Sequence, residues 1–411
     1  MPAAPDAVTP ANSSAMTPTL IVLILALLLG IQPVTTDLYL PALPSLTEGF
    51  GATVSQAQLT LTALLLAFGI SQLVWGPLSD RFGRRPVLLC GLAAYTLAST
   101  GCVFASSMAQ LIGWRTLQGV AMGAAVMCAR AIVRDLYTPE AGARAMSQGL
   151  TGLGIIACLC APLGGLLADN FGWRSALLVL PLFGAASLAL VALRFEETVP
   201  RKNPHALRPR TLAATWAAIL RHPTFLAYSA LSIASYAGLF TFLASSSFVF
   251  IKVLGLSRTQ YGLAMFLMSF VYILGTLMCR RMLPRFGVRR SVALAGCITL
   301  VAGSLLGGLA LAGVRNVWSI LLPYCLFMLA HGVHQPCSQS GAVGPFPRAA
   351  GAASALNGFL MMVVAFGVGG WLGTRLDGNV FALTGGIWFW SVVIAATAWT
   401  VVQKYGEPGR A

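Results

Sequence analysis

Residues 59–104 read LTLTALLLAFGISQLVWGPLSDRFGRRPVLLCGLAAYTLASTGCVF, two long apolar runs on either side of a short charged turn. A helix needs about 20 mainly apolar residues to cross the hydrocarbon core of a bilayer. Each run has that length, and a helix satisfies its own backbone hydrogen bonds in lipid. The stretch therefore predicts two membrane-spanning helices joined by a basic turn.

Twelve apolar runs of this kind occur along the chain, and we number them as spans 1 to 12. In the first half they are Thr19–Leu40, Leu59–Leu78, Pro86–Phe104, Ala109–Val133, Met146–Leu167 and Ser175–Leu193. In the second half they are Phe225–Phe250, Tyr261–Met278, Ser291–Ala312, Val317–Ser340, Ala349–Leu372 and Phe381–Val402. The predicted fold is an all-α membrane protein with twelve transmembrane helices in two six-helix bundles.

The composition agrees with a surface covered by lipid. Hydrophobic residues make up 57% of the chain and charged residues only 9%, whereas soluble domains carry about 25% charged residues. Residues 1–18 contain no Lys or Arg, so they lack the positive region of a secretory signal, and span 1 should be retained.

The net charge of +15 can indicate a nucleic-acid-binding protein, but the placement of the charges argues against one. Apart from Arg115, which lies deep in span 4, 20 Lys and Arg residues fall on the side of the N-terminus and five on the other side. Such an excess marks the cytoplasmic side of a membrane protein. We therefore expect a multi-pass protein of a bacterial inner membrane with both termini in the cytoplasm, and no nucleic-acid partner.

The longest loop separates the two groups of six spans. It is rich in Arg and Pro and predicts a linker. The expected organisation is a tail over 1–18, a bundle over 19–194, a linker over 195–222, a bundle over 223–402 and a tail over 403–411. SDRFGRRPV follows span 2 and LPRFGVRRSV follows span 8, an internal repeat of the kind found in transporters built from two related halves.

Two opposite charges lie inside the spans of the first half, Asp37 in span 1 and Arg115 in span 4. At 1.5 Å per residue, each lies roughly 10 Å below the same membrane face. A charged side chain that faces lipid costs about 3 kcal/mol or more. The pattern predicts a facing pair or a shared aqueous cavity. The alternative is that the charged groups of both side chains reach the water at the membrane interface.

The chemistry of the two residues predicts different roles. Arg cannot lose its proton in a protein, so Arg115 is a fixed positive partner. A carboxyl group takes up a proton where burial disfavours its charge and releases it near a cation, so Asp37 is the predicted proton carrier. Gln118 shares a helix face with Arg115 and is predicted to hydrogen-bond substrate.

The second half has polar stripes in place of intramembrane acids. One in span 7 contains Tyr228, Ser232, Ser235 and Tyr236, and one in span 10 contains Tyr324, His331, His334, Gln335 and Ser338. Polar faces in lipid point at a cavity or at a neighbouring helix. The predicted substrate-binding residues from these stripes are Tyr228, Ser232, Tyr236, His331 and Gln335.

No metal or cofactor site is predicted. The two histidines of span 10 have no evident third ligand, and the nine cysteines have no zinc spacing. No GxxxxGK[ST] phosphate loop occurs, so an ion gradient should supply the energy for transport.

Gly76-Pro-Leu-Ser-Asp80-Arg81-Phe-Gly83-Arg84-Arg85 resembles the signature loop of the major facilitator superfamily. This resemblance covers nearly the whole chain. It implies a cytoplasmic gate in which Asp80 and Arg84 bond to neighbouring helix ends, together with Arg134 or Asp135 after span 4.

Two further stretches resemble the span 4 and span 5 motifs of drug:proton antiporters, Arg115-Thr-Leu-Gln118-Gly119 and Ala161-Pro162-Leu-Gly164-Gly165. Four others resemble the Bcr/CflA drug-resistance group in particular: Asp37-Leu-Tyr39-Leu-Pro41, Arg134-Asp135-Leu-Tyr137, Phe171-Gly-Trp173-Arg174 and Pro345-Phe-Pro-Arg348. The resemblance implies export of bicyclomycin, amphenicols or similar drugs in exchange for protons. It also implies that Asp37 is a coupling or substrate site, with Tyr39 beside it.

Together these features predict a monomeric, proton-driven drug exporter with a cavity lined by spans 1, 4, 7 and 10. The first alternative is a transporter of the same fold for a sugar, amino acid or organic acid. Only Arg115 offers an inward cation, which disfavours an anionic substrate. The second alternative, a membrane enzyme, would need a nucleophile and base or a metal constellation, and the sequence shows neither.

Overall fold

The computed structural model describes residues 16–199, 202, 204, 206–376 and 378–406. In that part of the chain, 11 helices are long and apolar enough to cross a membrane. One of them, Arg258–Leu311, has 54 residues, about 80 Å at 1.5 Å per residue, which is enough for two crossings. It bends at Gly287, whose φ of 68° is not helical, so the twelve predicted spans are present.

The helix bounds are as follows. Spans 1 to 6 are Pro18–Thr36, Val54–Phe82, Arg84–Val103, Met108–Leu136, Pro139–Phe171 and Trp173–Arg194. Span 7 is Pro223–Ser247, spans 8 and 9 share Arg258–Leu311, and spans 10 to 12 are Val317–Val343, Ala350–Gly373 and Phe381–Trp399. We call the side on which residues 195–222 join spans 6 and 7 the linker face, and the other side the opposite face.

Short helices flank the spans. Span 1 ends at Thr36 and is followed by the short helices Leu40–Ala42 and Leu43–Gly49, because Pro41 and Pro44 cannot donate backbone hydrogen bonds to a continuing helix. Span 7 continues as the π-helix Phe248–Val253, Val401–Tyr405 follows span 12, and the linker contains Pro209–Leu220.

The linker helix was not expected from the sequence, which predicted only a linker. Its apolar residues Leu212, Trp216 and Ile219 recur at helical spacing, and Ile219 is buried. This helix packs against the ends of spans 7 and 11. An apolar stripe in an otherwise polar connection therefore fixes the linker to the second bundle.

The two bundles meet along two seams, span 2 against span 11 and span 5 against span 8. The second seam requires glycine on both sides. A Cβ atom at Gly165 would lie 2.4 Å from the carbonyl oxygen of Arg258, and one at Gly262 would lie 2.5 Å from that of Ala161. The absence of these side chains lets the two backbones touch, as in other closely packed membrane helices.

Polar contacts join the bundles at the opposite face. Asp169 of span 5 accepts hydrogen bonds from Arg258 Nη1 at 3.1 Å, Thr259 N at 2.8 Å and Thr259 Oγ1 at 2.6 Å. Lys252 and Glu48 form a second ion pair across the bundles. These contacts close the opposite face between the two halves.

Candidate functional site

Arg115 is fully buried inside the first bundle. Its Nη1 donates to Gln118 Oε1 at 2.7 Å, and its Nη2 donates to the carbonyl oxygen of Thr35 at 2.9 Å. The guanidinium carbon lies 4.4 Å from the centroid of the Tyr39 ring, a favourable cation–π distance. Arg115 therefore binds the end of span 1 through backbone, amide and aromatic contacts.

A second layer of hydroxyl groups holds these partners in place. The Tyr39 hydroxyl is 2.8 Å from Thr60 Oγ1, and the Tyr95 hydroxyl is 2.8 Å from Thr35 Oγ1. Gln118 Nε2 donates to Ser99 Oγ at 2.6 Å. The buried arginine is thus the centre of a network that links spans 1 to 4.

Asp37 lies beside this network but outside it. It caps the C-terminus of span 1, is partly exposed, and its carboxylate accepts a hydrogen bond from Thr36 Oγ1 at 2.8 Å. The short helix Leu40–Ala42, which follows Asp37 in the chain, contacts spans 7 and 8 of the second bundle. Asp37 therefore faces the region between the two bundles.

Of the two predicted arrangements, a facing pair or a shared aqueous cavity, the structure does not form the ion pair between Asp37 and Arg115. Within the described residues, no cation lies within 4.0 Å of the Asp37 carboxylate. Thr35 faces the first bundle, and a residue two positions later is about 200° further around the helix axis. The side chain of Asp37 therefore leaves span 1 in a different direction from that of Thr35, whose carbonyl oxygen accepts the hydrogen bond from Arg115.

A polar cluster in the second bundle joins spans 7, 10 and 11. Ser232 Oγ lies 3.2 Å from Gln335 Oε1 and accepts from Asn357 Nδ2 at 3.3 Å. Ser235 Oγ lies 2.8 Å from His331 Nδ1. Ser232 and Ser235 of the span 7 stripe therefore face Gln335 and His331 of the span 10 stripe.

Sequence reasoning missed Asn357, which is buried in span 11 and has no hydrogen-bond partner for Oδ1 among the described residues. A lone amide in the apolar run SALNGFLMM was the signal that could have found it. A buried amide oxygen without a partner is costly, so Asn357 has unused capacity to accept a hydrogen bond from substrate.

The two predicted tyrosines of span 7 are separated. Tyr236 is buried near the middle of span 7. The Tyr228 hydroxyl donates instead to the carbonyl oxygen of Gly406, 2.9 Å away, in the C-terminal segment. Eight residues of helix separate them by about 12 Å, so Tyr228 lies with the linker end of the bundle.

The predicted gate residues form a charge cluster on the linker face. Arg84 is buried and donates to Asp80 Oδ1 at 2.7 Å, Asp135 Oδ2 at 2.8 Å and Ser79 Oγ at 2.6 Å. Of the two expected partners after span 4, Asp135 is the buried one, whereas the Arg134 side chain is 60% exposed and lies 3.5 Å from Asp80.

The remaining gate residues have peripheral or backbone roles. The carbonyl oxygen of Gly76 accepts a hydrogen bond from Ser79 Oγ at 2.9 Å and so supports the Arg84 contact. The Arg81 side chain lies over the Phe82 ring at 5.4 Å. It contributes positive charge at the surface.

Glu197, immediately after span 6, completes this cluster and was missed from sequence. Its carboxylate accepts hydrogen bonds from the backbone N–H groups of Arg84 at 2.8 Å and Arg85 at 3.2 Å. A carboxylate at a helix N-terminus is stabilising, so Glu197 caps span 3. Gly83 has a φ of 110°, and a Cβ atom there would lie 2.3 Å from Glu197 Oε2. The glycine is thus required by both backbone conformation and space.

Comparisons with known proteins agree with this architecture. Multidrug resistance protein D of Escherichia coli strain K12 is 33% identical over 345 residues, which cover 84% of this chain and 86% of that protein. A bicyclomycin resistance protein homologue of Haemophilus influenzae is 27% identical over 354 residues, 86% of this chain and 87% of that protein.

The fold also matches solved transporter structures. An inward-facing, occupied crystal structure of a bacterial homologue of the human lysosomal transporter Spinster gives a TM-score of 0.73 at 14% identity, over 97% of this chain and all of the other. Residues 25–370 match the family described as Major Facilitator Superfamily. The chain therefore belongs to the major facilitator superfamily and is a multi-pass membrane transporter of small molecules, not an enzyme.

Proposed function

We propose that this transporter exports small amphiphilic drugs, such as bicyclomycin or amphenicols, across a bacterial inner membrane in exchange for protons. The observation that carries the proposal is the position of Asp37. Asp37 is partly exposed, is followed directly by a segment that contacts the second bundle, and has no cation within 4.0 Å of its carboxylate among the described residues. It is therefore available both to a proton and to a substrate.

The relatives support the finer assignment to the Bcr/CflA drug-resistance group. Two of them are named for multidrug resistance and for bicyclomycin resistance, and the matches cover more than four fifths of this chain. The excess of Lys and Arg on the linker face supports a cytoplasmic position for that face and for both termini.

In the proposed cycle, drug enters from the cytoplasm and binds between Asp37, Tyr236 and the polar cluster around Ser232. The halves over 19–194 and 223–402 then rock about this central site. Opening of the opposite face breaks the Asp169–Arg258 contact and exposes Asp37 to the outside of the cell. Protonation of the carboxylate removes its charge and releases the drug. The transporter then returns to the state that is open to the cytoplasm, where the carboxylate loses its proton. The protein carries out this cycle as a monomer.

Arg115 acts in this scheme through span 1. Its contacts to Thr35, Gln118 and Tyr39 fix the helix end that carries Asp37. Gln118 donates to Ser99 and accepts from Arg115. Both residues therefore position the proton site, although the sequence predicted direct contact with substrate.

The test is a drug-susceptibility panel in a pump-deficient host that expresses wild type, Asp37→Asn, Asp37→Glu or Arg115→Ala. Asp37→Asn removes the titratable group while it preserves size, so we expect resistance to be lost. Asp37→Glu retains a carboxyl group and should keep part of the resistance. Glu48→Gln removes an acid outside the site and should behave as wild type.

Amounts of each variant in the membrane are compared by immunoblot. Full resistance in Asp37→Asn at equal protein would remove this residue from the mechanism. If wild type gives no resistance to any drug but improves growth on a sole sugar, amino acid or organic acid, the transporter moves a metabolite instead.

A further inference from the structure

The turn between spans 8 and 9 carries an unusual concentration of positive charge. Five arginines lie between residues 280 and 290, and this interval contains no acidic residue. We call it the basic turn, and its arginines are Arg280, Arg281, Arg285, Arg289 and Arg290. Four of them are exposed, whereas Arg289 is half-buried and bonds to the carbonyl oxygen of Gln403. In the part of the chain that the structure describes, the four exposed guanidinium groups form no ion pair.

The equivalent turn in the first half is neutralised from within the protein. When Arg81-Phe82-Gly83 is aligned with the repeated Arg-Phe-Gly after span 8, the position of Asp80 is taken by Pro284. In the first half, carboxylates of Asp80, Asp135 and Glu197 surround the turn. In the second half, the residue that contacts the turn from the end of the bundle is the neutral Gln403. Its side-chain amide donates to the Arg289 carbonyl oxygen at 3.0 Å. The repeat has kept the Arg-Phe-Gly turn, whereas the acidic residue before it is replaced by proline.

The basic turn lies directly at the end of lipid-facing stripes. In span 8, exposed apolar residues recur every three or four positions and continue into Arg281 and Arg285; they are Phe266, Phe270, Leu274 and Leu277. In span 9, Arg290 begins a similar exposed row that continues with Leu294, Val301 and Leu305. Side chains three or four apart share a helix face. Each stripe therefore presents an apolar track that ends in guanidinium groups.

We propose that the basic turn binds the headgroup of an anionic phospholipid, whose acyl chains lie along the exposed stripes of spans 8 and 9. A guanidinium group binds phosphate with two parallel hydrogen bonds, and basic clusters beside membrane helices attract anionic lipids. Phe286 and Val288, both exposed next to Gly287, add apolar contacts at the level of the glycerol backbone. This binding site is independent of which molecule the protein transports.

The experiment measures retained lipid by native mass spectrometry of the purified full-length protein in detergent, titrated with phosphatidylglycerol or phosphatidylcholine. The test variant is Arg281→Gln/Arg285→Gln. The control, Arg144→Gln/Arg194→Gln, removes the same charge from exposed positions of the first half. At about 1 kcal/mol per basic residue near an anionic surface, removal of two arginines should weaken phosphatidylglycerol binding roughly thirtyfold.

We expect wild type and the control to bind phosphatidylglycerol in preference to phosphatidylcholine, and the test variant to lose that preference. Arg281→Lys/Arg285→Lys keeps the charge and should retain most of the binding, which separates lost attraction from lost folding. Equal affinities in the test variant and wild type, or an equal loss in the control, would overturn the proposal and leave the arginines a role only in membrane orientation. Competition by inorganic phosphate at concentrations equal to those of the lipid would also overturn it, because the site would then bind a free anion.

Discussion

Replacement of Asp169 with Ala should open the face of the transporter opposite the linker. Asp169 of span 5 accepts three hydrogen bonds from the first turn of span 8, at 3.1, 2.8 and 2.6 Å. One donor is a guanidinium group and another is the backbone N–H of Thr259. A carboxylate from one bundle thus caps a helix of the other, and this contact exists only while the face is closed.

The size of the effect follows from those contacts. A typical hydrogen bond contributes about 1 kcal/mol to net stability. The Asp169 side chain is 25% exposed and that of Arg258 is 33% exposed, so water partly replaces what the variant loses. We therefore expect the closed state to lose about 2 kcal/mol, which is roughly a thirtyfold shift toward the open state.

Double electron–electron resonance measures the distance between two spin labels and can detect this shift. Labels at Ala109 and Ala312, both exposed at the opposite face and on different bundles, should show a larger population of long distances in Asp169→Ala. Glu48→Ala is the matched control, since its partner Lys252 and Glu48 itself are more exposed and exposed ion pairs contribute little. A distance distribution identical to wild type in Asp169→Ala, or an equal shift in the control, would refute the assignment of the closing contact to Asp169.

Two predictions concern the charge cluster of the linker face, and thermal unfolding monitored by intrinsic fluorescence checks both. Arg84→Lys should destabilise the protein by about 1–3 kcal/mol, because a single ammonium group cannot span the two carboxylates that the guanidinium bridges; an unchanged melting temperature would contradict the buried geometry. Glu197→Gln should cost about 0.5–1 kcal/mol by removing negative charge from the first turn of span 3. Glu196→Gln, its neighbour, provides the control and should melt as wild type.

The twelve spans could be predicted from sequence because lipid imposes a length and an apolar composition on each helix. Spans 8 and 9 show the limit of that signal. They form one helical stretch from Arg258 to Leu311, and only the backbone at Gly287 marks the reversal. The linker helix Pro209–Leu220 was missed since its three apolar residues form a stripe too short to stand out without the surface that it covers.

The site was only partly predictable, for a geometric reason. Depth along a helix follows from counting residues at 1.5 Å each, so Asp37 and Arg115 could be assigned to one level. The direction in which a side chain leaves the helix depends on how the helices are rotated against each other, and the sequence does not contain that rotation explicitly. Long-range partners are hidden for the same reason: Glu197 lies 113 positions from Arg84, and no local pattern connects them.

The absence of the expected ion pair makes a proton-coupled role for Asp37 easier to explain. A carboxylate held against a buried guanidinium group must break that pair before it can take up a proton or contact a substrate, and breaking a buried pair costs about 3–5 kcal/mol. In this structure the two terminal nitrogens of Arg115 donate to Gln118 and to the Thr35 carbonyl, and the guanidinium group lies against the Tyr39 ring. Among the described residues, the Asp37 carboxylate accepts from one hydroxyl donor, Thr36. The arginine can therefore stay fixed through a transport cycle while the carboxylate two residues further along exchanges its partners.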